Sequence, residues 1–222
     1  MSVLTDRYGD CILVKIVSPD SNYRGRSYGE WGAKWWQWAY SIPASKHPIL
    51  DQDGHSSHEG QGGPVWFLAA TYGEGKHVHA QRNCAMPAGR AIFIPILNAC
   101  FNNKQHGKEK TELDLLEMAR NDIDSAVVLE ASVDGENIRN LHDYRAESPL
   151  FSAHAPAETS RPAAGGLPAL TGETKAVADG YWLLIEPLPV GPHTIHIHSK
   201  TPTFETKADY NLHVSANFKH KI

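Results

Sequence analysis

Cysteine is scarce in this chain: Cys11, Cys84 and Cys100 are all it has. An odd number without Cys-x-x-Cys spacing argues against a disulfide framework and against a thiolate zinc site. No apolar run approaches the roughly 18 residues that a membrane-spanning helix needs. No charge of one sign dominates, since Lys and Arg number 21 against 25 Asp and Glu, a formal net charge of -4. A chain without basic excess lacks the electrostatic footprint of a nucleic-acid binder. Also missing are the Gly-x-Ser-x-Gly elbow, the phosphate loop and the dinucleotide fingerprint. The first stretch, to Asp20, holds only a short apolar run, from Cys11 to Val17, broken by Lys15. It has no basic region ahead of that run and no small-residue cleavage site, which predicts a cytoplasmic chain, or a secreted one whose signal has been removed.

What the chain does have is apolar and aromatic mass. Of 222 residues 41% are apolar, with 6 Trp, 8 Tyr and 6 Phe, enough for one buried core and a single domain over 1–222. Two helices are expected, over about 27–41 and 111–125. Ser27 with Glu30 reads as a capping box, and Pro43 stops the helix. Thr111 with Asp114 opens the second, whose apolar face is Leu115, Ala119 and Ile123. Short apolar runs mark strands at Val65 to Ala70, Ala91 to Leu97, Ala126 to Val133, Tyr181 to Glu186 and His193 to His198. Asp134-Gly135 is a hairpin turn with its return at Ile138. Tyr210 to Phe218 alternates, with Tyr210, Leu212 and Val214 on one face and Asn211, His213 and Ser215 on the other. The stretch 152–178, rich in Ala, Pro, Gly and Thr, reads as a long loop or lid. Together these predict a mainly β fold, a β-sandwich of jelly-roll type with two α-helices packed on it.

The chain carries 13 His, and they cluster. KHVHAQ holds His77 and His79, and HTIHIH holds His193, His196 and His198. Strand residues two apart share a face, so His77 pairs with His79 and His196 with His198, while His213 lies on the polar face of the last strand. Neutral imidazole is a common ligand for copper, iron, zinc and nickel. If these strands are neighbours, His77, His79, His196, His198 and His213 form a metal site, with Glu205, Glu30 or Glu59 as candidate carboxylates. The alternative is that these histidines are ordinary polar residues on a solvated strand face. His55 and His58, in a loop, are weaker candidates. The cupin pattern is not met, because Gln81 and Arg82 follow the His-x-His where a Glu should come.

The tryptophan helix has two readings as well. Tyr28, Trp31, Trp35, Trp38 and Ala39 fall on one stripe and suit a buried face. Trp36 and Tyr40 lie off it and are candidate substrate-pocket residues, together with Gln81, which extends the His77/His79 face, and Glu205.

Three blocks, YGEWGAKWWQWAYSIP, GQGGPVWFLA and RNCAMPAGRAIFIPILN, resemble a family of uncharacterised bacterial proteins over roughly Tyr28 to Asn98, and DGYWLLIEPLPVGPHTIHI is similar as well. The resemblance implies no activity. It does imply that relatives carry a Cys in the loop before the Gly-Gln pair; if they pair it with the position of Cys84, this chain has lost the bridge. Here that loop reads HSSHEGQ, which would make His58 a candidate ligand in place of the lost bridge.

The expectation is therefore a metal-dependent enzyme acting on a small molecule, an oxidoreductase using copper or iron ahead of a hydrolase or lyase using zinc or nickel. The alternative is a non-catalytic ligand- or carbohydrate-binding β-sandwich module. A small-molecule partner is expected, with neither nucleic acid nor membrane, and homo-oligomerisation is compatible with the sequence.

Overall fold

A computed structural model of the chain describes residues 14–72, 79–104, 110–155 and 172–218. The fold is mainly β, a sandwich of two sheets with two helices. Helix α1 spans Tyr28–Ser41 and α2 spans Glu112–Asp124. The strands are β1 (Val65–Phe67), β2 (His79–Pro87), β3 (Ala91–Asn102), β4 (Val128–Val133), β5 (Glu136–Asn137), β6 (Phe151–Ala155), β7 (Gly172–Ile185), β8 (Gly191–Lys200) and β9 (Glu205–Ser215). One sheet has the order β1-β3-β7-β6 and the other β2-β9-β8-β4-β5. Both are mixed, because β1 runs parallel to β3 and β2 parallel to β9.

Burial on two faces explains the long apolar strands. On β3, Ala91 and Phe93 face α1 while Ile92, Ile94 and Ile96 face the second sheet. On β7, Trp182 and Leu184 join the first cluster and Leu183 and Ile185 the second. A strand covered on both sides reads as a continuous apolar run rather than an alternation. Among the described residues the five-stranded sheet is covered on one face only. Its β8 therefore alternates, with Ile195 and Ile197 in the core and His196 and His198 outside.

Both helices begin with the expected capping boxes, Ser27 with Glu30 and Thr111 with Asp114. Helix α1 lays its aromatic side chains on the outer face of the four-stranded sheet. Trp35 donates from Nε1 to the Leu68 carbonyl at 2.8 Å, and Trp31 donates to Tyr23 O at 3.0 Å. Close approach is possible because α1 carries Gly29 and Gly32 where it crosses the chain near Glu147 and the ring of Trp182.

The loop expected over 152–178 is shorter at both ends. Residues 152–155 belong to β6 and 172–178 to β7, and 152–155 pair with 172–175 in antiparallel register. Their inward residues, Ala153, Ala155 and Ala176, are small, so the hydrophobic alternation was too shallow to read. Residues 156–171 lie outside the described residues, as does Cys11.

Candidate binding cleft and histidine face

A cleft of about 500 Å³ opens at one end of the sandwich. It forms where β3 passes a register shift between Pro95 and Leu97, so that Asn98 and Cys100 turn toward the space under α1. Trp35 and Trp36 come from α1, and Tyr72 from the segment after β1. Thr201, Thr203 and Phe204 come from the β8–β9 hairpin, and Asp122 and Ser125 from the C-terminal end of α2. Segments distant in sequence thus meet at one mouth, in the size range of a small-molecule site.

A buried cation holds one wall in place. Arg82 is 1% exposed and occupies an inward position of β2. Its Nε donates to Asp51 O at 2.8 Å and its Nη1 to the Tyr210 hydroxyl at 2.6 Å and to Ala69 O at 2.5 Å. Its Nη2 donates to Ile49 O at 3.4 Å and Ala70 O at 3.3 Å. Ile49 and Ala70 line the cleft, so one guanidinium clamps two of its wall segments. Beside it the buried His47 donates from Nε2 to Ala39 O at 2.9 Å and accepts at Nδ1 from the Ile49 amide at 3.2 Å. Burial pushes its pKa down to about 4, the Ala39 bond opposing and the Arg82 charge adding to the fall.

Trp36 and Tyr40 sit side by side, with ring centroids 5.4 Å apart. Trp36 reaches the cleft, and Tyr40 stands behind it, its hydroxyl 3.4 Å from Cys100 Sγ. Burial raises the Tyr40 hydroxyl well above its usual value and pushes the Cys100 thiol up to about 12. That thiol is protonated at neutral pH and no nucleophile. Two donors on residues of the wall, Trp36 Nε1 and Asn98 Nδ2, are buried with no hydrogen-bond partner among the described residues.

The histidines lie elsewhere, on the solvent face of the five-stranded sheet. Because β9 runs between β2 and β8, the two His-x-His strands are one strand apart and present His79, His196 and His198 on the same face. The Asp209 carboxylate bridges two of them, with His79 Nε2 at 2.5 Å from Oδ2 and His196 Nδ1 at 2.5 Å from Oδ1. Partial burial would raise that carboxyl, but the bonds from His196 and His79 outweigh it and hold it below its ordinary value. His198 stands between Glu130, 3.0 Å from Nδ1, and Glu205, 2.9 Å from Nε2. Burial opposes its charge, yet the two carboxylates raise its pKa. With both nitrogens facing carboxylates it is placed as a double donor, an imidazolium.

His213 is on the same face, four residues along β9 from Asp209, which is about 13 Å of strand. It borders a shallow groove with Asn211 and Pro192 instead of joining the Asp209 pair. His77 lies outside the described residues. Gln81 is exposed on β2 opposite Asp209, and Glu205 is engaged by His198 and Lys200. Both are on the histidine face, whereas Trp36 lines the cleft and Tyr40 stands behind it, so the four residues expected to share a pocket do not share one. Glu30 is used by its capping box, and Glu59 lies 3.7 Å from Lys46 and 3.6 Å from His58. His55 pairs with Asp53 on the surface. Ser57 supplies a side chain that hydrogen-bonds the Cys84 thiol, which burial pushes up to about 11. Among the described residues, no group of three or more His, Cys, Asp or Glu side chains is arranged to hold a metal ion.

Sequence reasoning missed most of the cleft. Tyr72, Asn98, Cys100, Phe204 and Asp122 come from separate elements, and only Trp36 carried a signal, its place off the helical stripe.

No family model matches the chain, and no curated protein does. Among solved structures, a cysteine protease inhibitor from Entamoeba histolytica is 12% identical with a TM-score of 0.23, over 67% of this chain and 95% of that one. Amebosin is 11% identical with a TM-score of 0.19, over 68% of this chain and 99% of that one. Likeness at that level bears on neither fold nor function. Among the described residues no helix is long and apolar enough to cross a membrane.

Proposed function

We propose that the protein is a small-molecule-binding β-sandwich whose site is the aromatic cleft under α1. One observation carries this reading: Trp36 and Asn98, which line a 500 Å³ cleft, carry buried donors, Nε1 and Nδ2, that have no acceptor among the described residues. A buried unpaired donor costs about 1–3 kcal/mol, and a ligand carbonyl or ether oxygen is the kind of group that removes this cost. The aromatic walls supply apolar area and ring faces for a flat body. The Cys100 thiol on the wall, held protonated by burial, gives this site no thiolate nucleophile.

The test uses N-acetylphenylalaninamide, a neutral probe with one ring and two carbonyl acceptors. Titration followed by tryptophan fluorescence is expected to show saturable binding, weakened about tenfold in Asn98→Ala, the worth of one buried hydrogen bond. Binding that Asn98→Ala leaves unchanged would remove the cleft from consideration.

A second reading, a metal-dependent enzyme centred on the histidine face, is supported by one feature. Asp209 holds His79 and His196 in fixed orientation, as outer-shell carboxylates do for metal-bound imidazoles. Copper or iron would supply redox chemistry there, zinc or nickel Lewis acidity. Elemental mass spectrometry after exposure to each metal, beside His196→Ala, decides it. Stoichiometric metal lost in the variant supports the reading, and equal content in both chains ends it.

A further inference from the structure

The sign of charge that the cleft prefers can be read from what borders it. No Lys, Arg or His is among the described residues that line it, and its single ionisable carboxyl is Asp122. Asp122 lies in the last turn of α2, beside Ser125, whose hydroxyl caps the Asp122 carbonyl at 2.7 Å. The C-terminal turn of a helix carries the negative end of its dipole, and α2 has no basic residue in that turn to offset it. The neighbouring Asp124 is already taken by Arg145 at 2.5 Å, whereas no ion pair engages Asp122 among the described residues. The nearest buried cation, Arg82, is behind the wall with its donors spent on carbonyls and on Tyr210. Trp36, Tyr72, Phe101 and Phe204 present aromatic rings to the same space, and ring faces attract organic cations.

We infer that the cleft takes an organic ammonium ion that also bears a carbonyl acceptor. Its apolar body lies among Trp36, Tyr72 and Phe204, its cationic end at Asp122, and its acceptor on the Trp36 and Asn98 donors. The inference rests on the proposed cleft function and adds the ligand's charge class to it.

Three probes with the same ring and at least one amide carbonyl each separate the two claims: L-phenylalaninamide, N-acetylphenylalaninamide and N-acetylphenylalanine. They are cationic, neutral and anionic at pH 6.5, below the ordinary α-amino pKa of about 7.7. Dissociation constants are read by tryptophan fluorescence for the wild-type chain and for Asp122→Asn, an exposed position where the fold does not depend on the charge. The expected order is cation tightest and anion weakest, with about a fivefold preference for the cation over the neutral amide. Asp122→Asn is expected to abolish that preference, so that the cation and the neutral amide bind alike. Binding of the neutral amide without cation preference, or a preference that survives Asp122→Asn, overturns the charge assignment and leaves the cleft reading standing. Absence of binding by all three overturns both.

Discussion

The imidazole of His193 lies 2.7 Å from the carboxylate of Asp134, and both side chains are almost wholly buried. Asp134 and Gly135 take positive φ angles of 52° and 80°, the geometry of a type I′ turn, which places the carboxylate against β8. Its second oxygen accepts from the Thr194 amide at 2.8 Å, and the other ring nitrogen of His193 faces Pro189 O at 2.9 Å. A carbonyl and a carboxylate both accept, so the ring must donate twice and is charged. Its bond to Asp134 raises its pKa despite the opposing effect of burial.

A raised pKa in the folded state stabilises the fold fully below the unfolded value of about 6.5, and that contribution is lost as pH rises through the folded value. Urea unfolding is expected to show stability falling above pH 6.5. Asp134→Asn keeps the turn geometry and the Thr194 bond but removes the charge. It should cost about 2 kcal/mol at pH 6 and less at pH 9. A cost that does not vary with pH would mean His193 is neutral in the fold.

His47 acts in the opposite direction. Its neutral tautomer donates to Ala39 and accepts from Ile49, so protonating Nδ1 breaks a bond and places a charge near Arg82. With the folded pKa near 4 against about 6.5 unfolded, its contribution is present above pH 6.5 and is lost as pH falls toward 4. The full shift corresponds to about 3 kcal/mol. Stability should therefore drop between pH 6.5 and 4, and His47→Gln, uncharged throughout, should flatten that limb while lowering stability at pH 7. A limb of unchanged slope in the variant would assign the acid loss to other groups.

The elements that were legible in the sequence were those whose residues speak locally. Ser27 with Glu30 marks a helix start because the capping box is a four-residue pattern, and Tyr210, Leu212 and Val214 mark a strand because period two shows within six residues. The common face of His196 and His198 followed from the same rule. What brought His79 beside His196 was the insertion of β9 between β2 and β8, a pairing across more than 100 residues that no local pattern encodes. Arg82 was misleading in the same sense. It follows His79 and Gln81 in a polar stretch, yet its inward position on β2 makes it a core residue whose partners are carbonyls from two other segments and the Tyr210 hydroxyl. The cleft was illegible for the same reason, being made of residues from α1, α2, β3 and the β8–β9 hairpin.

Gly29 gives a prediction in which propensity and packing disagree. In an exposed helix, alanine in place of glycine stabilises by about 1 kcal/mol. Here a Cβ at position 29 would sit 1.9 Å from the Glu147 carbonyl oxygen, a backbone atom that cannot rotate away. Gly29→Ala is expected to destabilise by roughly 1–3 kcal/mol net, because α1 must lift from the sheet or the 147–148 segment must move. Thermal unfolding followed by near-UV circular dichroism, sensitive to the tryptophans of α1, reads both the loss of stability and the changed packing. A raised melting temperature would show that the segment near Glu147 yields freely.

Arg82 links the stability of the fold to the shape of the cleft. Its donors reach Asp51, Ile49, Ala69, Ala70 and Tyr210, which belong to three segments with no strand pairing among them. Removing the guanidinium leaves buried carbonyls unpaired and an unfilled volume, so Arg82→Ala is expected to cost about 3–5 kcal/mol. Arg82→Lys keeps the charge but has one nitrogen where the planar fork had three, and it cannot hold Asp51 and Ala70 together. Lysine should therefore recover only part of the stability. Because Ile49 and Ala70 are cleft wall, the lysine variant should also bind N-acetylphenylalaninamide more weakly than wild type under conditions where both are fully folded. Equal affinity in the two folded proteins would show that the clamp serves the core alone, and that the cleft wall is held by the Thr71–Thr206 bonds at its other end.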